Sequence, residues 1–424
     1  MTAAEKEPLR ANTQRPVAIL VSKQRIVAAN NGSSAYVLSL ARCIAQGGFE
    51  VWLVQPSADL AGRTPILRFS DELDIFARHE ILGMERVGRL AVALSPAVWW
   101  GFLTGGLKLM GRKLLGERGF LKDRPRPYSI ALPWKPNEHG FVRALADQAG
   151  DRLGLVISDY VFATDAFVDV PAQTTKAVIM HDLFSRRDGK GADSVAVLDE
   201  ASEIAMLSRA DWVVAIQAEE REFVANACPE VEAILAPMPA AISAEPRPGE
   251  DRQLLFIGSD TAPNSVGLAW FFEHVWPLVM AEEPQTQLDV IGTVGRKFDT
   301  SSCPNVRFLG LVDDLAAHYQ AAGILISPLT FGSGLKVKLV EALGQGKAIV
   351  ATRVTLQGVE DICLEAVECQ DDPQAMADAI IKLADNSHAR AQLAEKALAC
   401  AKAHFSAESV HAELSAKLAA LFAN

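Results

Sequence analysis

A surplus of positive charge is missing from this sequence. Its 424 residues hold 41 lysines and arginines against 52 aspartates and glutamates, a formal net charge of −11. General nucleic-acid binding is excluded on that ground, because nothing overall would neutralise phosphates. Paired cysteines are missing too. Cys43, Cys228, Cys303, Cys363, Cys369 and Cys400 are scattered, with no C-x-x-C pair. That argues against a disulfide framework or a zinc site and fits a reducing, cytoplasmic setting. The opening stretch MTAAEKEPLRANTQRP lacks the apolar core of a signal peptide, and residues 1–15 are expected to form a disordered tail. No Asp-x-Asp pair follows an apolar strand in a way that would bind a metal. Asp169 lies between Val168 and Val170, and Asp71 and Asp74 sit in a polar stretch.

What is present is a strand–helix rhythm with ample core-forming residues. Half the residues are hydrophobic and 22% are charged, which excludes global disorder, and the length suits two α/β domains. Val17–Ser22 reads as a buried parallel strand, followed by a polar loop through Asn30, Asn31, Gly32, Ser33 and Ser34. A helix is expected from Ala35 to Ala45 and a second strand at Val51–Val54, which together make a βαβ unit. Leu155–Ser158, Ala177–Met180 and Trp212–Ile216 are further strands, and Ser194–Leu207 is helical. The proline-rich stretch Pro237–Asp251 breaks the pattern. After it, strands are expected at Leu254–Ile257, Leu288–Ile291, Val306–Leu309, Ile324–Ser327 and Ala348–Ala351, with helices at Val266–Met280 and Gly334–Gly344. The stretch from Pro373 to Asn424 is nearly all helical. The domain expectation is a tail (1–15), an N-terminal Rossmann-like domain (16–240), a linker (241–251), a C-terminal domain (252–404), and a last helix (405–424) packing back on the first domain. Two such sheets would face each other across a cleft, with ligands at the carboxyl ends of the strands.

The segment Ser327–Thr352, SPLTFGSGLKVKLVEALGQGKAIVAT, carries the most chemistry. A strand ends, a loop with Gly332, Ser333 and Gly334 follows, and a helix begins. Glycines admit a close approach of backbone to ligand, and a helix start offers N–H groups and partial positive charge to a diphosphate. Lys336 and Lys338 oppose the helix dipole unless an anion arrives there. Glu341, further along the helix, suits the hydroxyls of a ribose. An ordinary strand–loop–helix with solvated lysines is the alternative at this point.

This segment resembles the donor-binding signature of family-four retaining glycosyltransferases, and Phe331–Ala342 fits the subgroup pattern Phe-Gly-x-Gly-x-Lys-x-Lys-x-x-Glu-Ala throughout. Glu341 matches the second of the family's two glutamates, and Ser333 stands where the first would be. Other stretches are similar to the family as well: Phe256-Ile257-Gly258 with Pro263-Asn264 and Trp270-Phe271-Phe272; Val306–Val312 with Asp313-Asp314-Leu315; Glu203 with Arg209-Ala210-Asp211; and Asn31–Val54. The resemblance covers most of the chain, most strongly from 254 to 360. It implies the GT-B fold, an α/β architecture of two Rossmann-like domains facing across a cleft. It implies metal-independent transfer of a hexose-type sugar, with retention, from a nucleotide-diphosphate donor, and no cofactor beyond that co-substrate. Carried over by position, the donor site is Gly32, Ser33, Gly258, Leu311, Gly332, Ser333, Gly334, Lys336, Lys338 and Glu341. His181 is placed to contact the transferred sugar, and Lys336 to meet the charge of the leaving phosphate. Where many relatives carry an arginine and a lysine early in the C-domain, Ser259–Pro263 offers no cation.

The implied acceptor is a glycan or lipid-linked glycan, in polysaccharide biosynthesis. A catalytically weak nucleotide-binding scaffold subunit and a sugar-nucleotide epimerase or hydrolase are the rival readings. Residues 86–126 stand apart. They hold nine basic and two acidic residues in an otherwise acidic chain, and Leu90–Leu107 is uncharged with Trp99 and Trp100 at its centre. Pro96 and three glycines argue against a transmembrane helix. An interfacial membrane patch at the inner face of the cytoplasmic membrane is one reading, and a helical hairpin packed on the domain is the other.

Overall fold

The computed structural model describes residues 15–29, 31–57, 60, 64–115, 129–186, 198–299, 303–312, 314–332 and 335–422. Most of the expected tail, residues 194–197 of one expected helix, residues 116–126 of the basic segment, Asp313, and the site candidates Ser333 and Gly334 lie outside the described residues.

The first half contains β1 (Val17–Val21), α1 (Gly32–Gln46), β2 (Glu50–Gln55), β3 (Ile66–Arg68), β4 (Arg78–Ile81), β5 (Met84–Val87), β6 (Leu90–Ala93), α2 (Pro96–Leu115), α3 (Pro136–Ala149), β7 (Leu153–Asp159), β8 (Thr175–Met180), α4 (Glu200–Leu207), β9 (Trp212–Ala215), α5 (Ala218–Ala227) and β10 (Glu232–Leu235). Seven of these strands form one sheet in the order β10-β9-β8-β7-β1-β2-β4. Its pairings are all parallel. All five residues of β1 are buried, as expected of a central strand covered on both faces.

The second half contains β11 (Glu250–Ile257), α6 (Ala262–His274), α7 (Trp276–Glu282), β12 (Gln287–Ile291), β13 (Val306–Gly310), α8 (Leu315–Ala321), β14 (Ala322–Ser327), α9 (Val337–Gly344), β15 (Ala348–Ala351), α10 (Glu360–Cys363), β16 (Glu368–Cys369), α11 (Pro373–Asp385), α12 (Ser387–His404), α13 (Ala407–Val410) and α14 (Ala412–Ala420). Its six-stranded sheet runs β13-β12-β11-β14-β15-β16, again parallel. Each sheet is sandwiched between two apolar layers of helices. In both sheets the strand order reverses at the first strand of the half, the place where ligands bind at the carboxyl ends of open parallel sheets.

Several boundaries differ from the sequence expectation. β11 begins at Glu250, inside the expected linker, because its first residues pair with Ala322 at the head of β14. The helix expected over Val266–Met280 breaks at Val275, where Pro277 in the first turn of α7 restarts it. The helix expected from Gly334 begins at Val337, with Lys336 as its cap. The 86–126 segment is described only as far as Leu115. Its first part joins a three-stranded antiparallel sheet, β3-β6-β5, and only from Pro96 does a helix run. No described helix is long and apolar enough to cross a membrane.

α14 returns to the first half. Leu414 and Leu418 sit in the core built on α1, β1 and β2. The rings of Phe422 and Phe49 lie 5.0 Å apart, and Lys417 pairs with Glu232. His411 is buried 3.3 Å from Ser39, and burial pulls its pKa from 6.5 down to about 4.

Candidate active site

Two helix starts confront each other across the crevice. α1 is capped by Asn31, whose side chain accepts from Ser34 N at 2.8 Å while Ser34 answers with its own hydroxyl, a capping box worth about 1 kcal/mol. Gly32 is therefore the first residue of α1. A Cβ placed on it would lie 3.6 Å from Cγ2 of Val337, the first residue of α9. Leu335, just before α9, packs against the cores of both halves. N–H groups in the first turn of a helix have no partner within it, so two sets of donors and two positive dipole ends converge on one small region.

Lys336 stands at that convergence. It is largely buried, and desolvation pulls its pKa from 10.5 down to about 8, opposed by Asp182 of the first half and Glu360 of the second. Its Nζ lies 3.4 Å from the carbonyl of Gly332. Gly332 adopts φ +132°, a conformation closed to other residues, and a Cβ there would press on Pro263 at 3.4 Å. Lys338 is half exposed and pairs with Glu341 at 2.7 Å, and Glu341 also accepts from the Tyr319 hydroxyl at 3.2 Å. Glu341 is thus held in place and keeps acceptor capacity for a further hydroxyl.

On the opposite wall, β8 delivers His181. Its Nε2 lies 2.7 Å from Asp159 Oδ1, the carboxylate at the end of β7, and the imidazole is only 7% exposed. Tyr160 stacks on the ring at 4.0 Å and Tyr36 meets it edge-on at 5.5 Å. The Tyr160 hydroxyl donates to Ser33 Oγ at 2.7 Å, which ties the histidine to the start of α1. Asp159 is completely buried and also accepts from Ser22 Oγ at 2.5 Å and Gln24 Nε2 at 3.2 Å. The loop after His181 is pinned from below, where buried Glu203 accepts from the backbone of Phe184 and Ser185. Lys23, fully buried beside Gln24, reaches Glu138 at 3.1 Å. Removing one partner of such a pair costs about 3–5 kcal/mol.

A third group is Glu220, at the start of α5. Gln217 donates to its Oε1 at 2.8 Å, while Oε2 is buried without a partner. Desolvation first, and then Asp182, push its pKa from 4.5 up to about 7. The Gln217 side chain lies 3.2 Å from a Cβ position at Gly358 of the second half, so this cluster also spans the crevice.

The structure therefore brings Gly32, Ser33, His181, Gly332 and Lys336 together, with Lys338 and Glu341 along α9. Gly258 and Leu311 lie further along the second half's rim. A Cβ at Gly292 would fall 2.1 Å from the Gly258 carbonyl oxygen, and one at Gly258 would fall 2.8 Å from the Phe256 ring. Leu311 is largely exposed beyond the end of β13. Asp159, Tyr160, Tyr36 and Glu220 were not singled out from the sequence. Asp159 had a usable signal, an aspartate ending an apolar strand in a parallel sheet. Near the stretch after Gly258, Lys297 lies 3.5 Å from Asp260.

With this geometry in hand, comparison with known proteins is informative. Residues 251–386 match the family described as glycosyl transferases group 1. An uncharacterized 44.6 kDa protein in the cps region of Klebsiella pneumoniae is 23% identical over 172 residues, which are 38% of this chain and 44% of that relative. Among solved structures, sucrose-phosphate synthase from Thermosynechococcus elongatus superposes with a TM-score of 0.65 at 17% identity, covering 96% of this chain and 100% of that one. HepE from Anabaena in complex with UDP gives 0.55 at 11% identity, with 96% and 100% covered. The fold is GT-B.

Proposed function

With a group 1 glycosyl transferase segment set in a GT-B fold as the premise, we propose that this chain transfers a sugar from a nucleotide-diphosphate donor to a glycan or lipid-linked acceptor, with retention and without a metal. The observation that carries this reading is the pair of helix starts, α1 and α9, packed so that a Cβ at Gly32 would touch the Val337 side chain, with Lys336 beside them and His181 on the facing wall. A diphosphate placed there meets first-turn N–H groups and one ammonium, a preorganised set of positive charge for a leaving phosphate. Glu341, oriented by Tyr319 and Lys338, takes the ribose hydroxyls. The Asp159 carboxylate fixes the His181 ring so that one nitrogen faces the carboxylate and the other can meet the sugar. HepE was crystallised with UDP, so a uridine nucleotide is the first donor base to try. The Klebsiella relative lies in a cps region, which favours polysaccharide assembly as the setting.

The reading is tested by screening UDP- and GDP-sugars for a rise in unfolding temperature, then following transfer by NMR with EDTA present. A donor that stabilises the chain and yields product of retained anomeric configuration is expected. Inverted product, or activity lost in EDTA and restored by Mg²⁺, refutes the mechanism. Ser333, in place of the family's first glutamate, favours a second reading, a nucleotide-binding subunit without transfer. Donor binding with no turnover over a broad acceptor panel distinguishes it.

A further inference from the structure

Half of the exposed large apolar side chains among the described residues fall between Ile66 and Leu103, a small part of the first domain. The densest group is at the start of α2, where Trp99, Trp100, Phe102 and Leu103 are all exposed, Trp100 by 69%. Leu94, in the turn that leads into the helix, is 63% exposed. The helix is not a loose tail, since Val98 packs into the domain core and the Trp99 indole donates to the Ala93 carbonyl at 2.9 Å. The aromatic surface is therefore presented on a fixed base.

The charge along this stretch of the sequence has one sign. From Leu90 to Gly116 the sequence holds no aspartate or glutamate, and α2 carries Lys108, Arg112 and Lys113. The whole chain is acidic at −11, so an anionic surface repels it everywhere except at such a concentration of positive charge. Tryptophans prefer the polar–apolar boundary of a bilayer, and a helix with aromatic and basic residues lies in that plane without crossing it. A second copy of this chain is a poorer occupant: a two-fold contact through α2 sets the same cations against each other. We propose that the first half of α2, with Leu94, docks the N-terminal domain on the surface of an anionic lipid bilayer. This rests on the exposure and charge of α2 and stands apart from the donor site.

The test is flotation of the full chain with vesicles of phosphatidylcholine alone and of phosphatidylcholine mixed with phosphatidylglycerol, at low and high salt. Binding only to the anionic vesicles, and weaker at high salt, is expected. The double variant Trp100→Ala/Phe102→Ala should bind those vesicles roughly tenfold more weakly or worse, with its unfolding temperature and UDP binding unchanged because both side chains face solvent. The triple variant Lys108→Gln/Arg112→Gln/Lys113→Gln should lose the salt-sensitive part of the binding. Wild type that stays unbound at every composition overturns the proposal, as does a double variant that binds like wild type. Lipid-free self-association of wild type that the double variant abolishes assigns the face to a second copy and also overturns it.

Discussion

Replacing Lys336 probes the donor site most directly. Its ammonium is largely desolvated, which pulls the pKa down to about 8 against the opposing pull of Asp182 and Glu360. A diphosphate brought to the start of α9 adds negative charge beside the ammonium and favours its protonated form. Truncating the side chain then removes a charge-assisted contact of roughly 1.5–3 kcal/mol, a loss of about tenfold to a hundredfold in affinity. The depressed pKa adds a signature that simple damage would not produce. The anion favours the protonated lysine, which is about nine-tenths populated at pH 7 and about one-tenth at pH 9 for a pKa near 8. Wild-type affinity should therefore fall roughly tenfold across that interval. Calorimetry of UDP and GDP binding to wild type, Lys336→Ala and Lys336→Met at both pH values measures this, the methionine variant preserving packing volume. The variants' own pH profile records any titration of the ligand. Unchanged affinity in both variants, or the same pH slope with and without the lysine, refutes the assignment.

Two further outcomes concern the facing wall. Asp159→Asn keeps the shape but removes the charge that holds His181, Ser22 and Gln24; turnover should fall at least about tenfold with donor affinity little changed, because the bond lost is charge-assisted. Steady-state kinetics beside UDP calorimetry decides it, and unaltered turnover means His181 needs no carboxylate. Glu220→Gln should flatten part of the pH dependence of stability. The folded pKa of about 7 lies above the ordinary 4.5, so the stability this group contributes is complete below pH 4.5 and is lost as pH rises through 7. The neutral variant should match wild type in acid and exceed it by up to about 3 kcal/mol at pH 8, as urea unfolding at both pH values will measure. A constant difference between the two proteins at both values contradicts the burial of an uncompensated carboxylate.

The strands were legible because hydrophobic runs bounded by turn residues encode them locally. β1, β2, β7, β8, β9, β12, β14 and β15 lie where the runs at Val17, Val51, Leu155, Ala177, Trp212, Leu288, Ile324 and Ala348 place them. The α9 segment was legible for the same reason, since glycine, lysine and glutamate at fixed spacing around one strand–helix junction form a single local motif. The pairing of β11 with the head of β14 was not legible, because it joins residues far apart in sequence. Nor was the fate of Leu90–Ala93, whose short apolar run suits strand or helix until β3 and β5 offer their edges. The site itself divides along this line. Sequence singled out Gly32, Ser33, Gly332 and Lys336 as candidates for an anion site and marked His181 as a strand-end candidate. Only the tertiary structure set Val337 against Gly32, brought Asp159 behind His181 and Asp182 within electrostatic reach of Lys336, and buried Glu220 beside the seam. A side chain's propensity is a property of its neighbours along the chain. Its desolvation and its counter-charge depend on what the fold places around it, and no local motif encodes them.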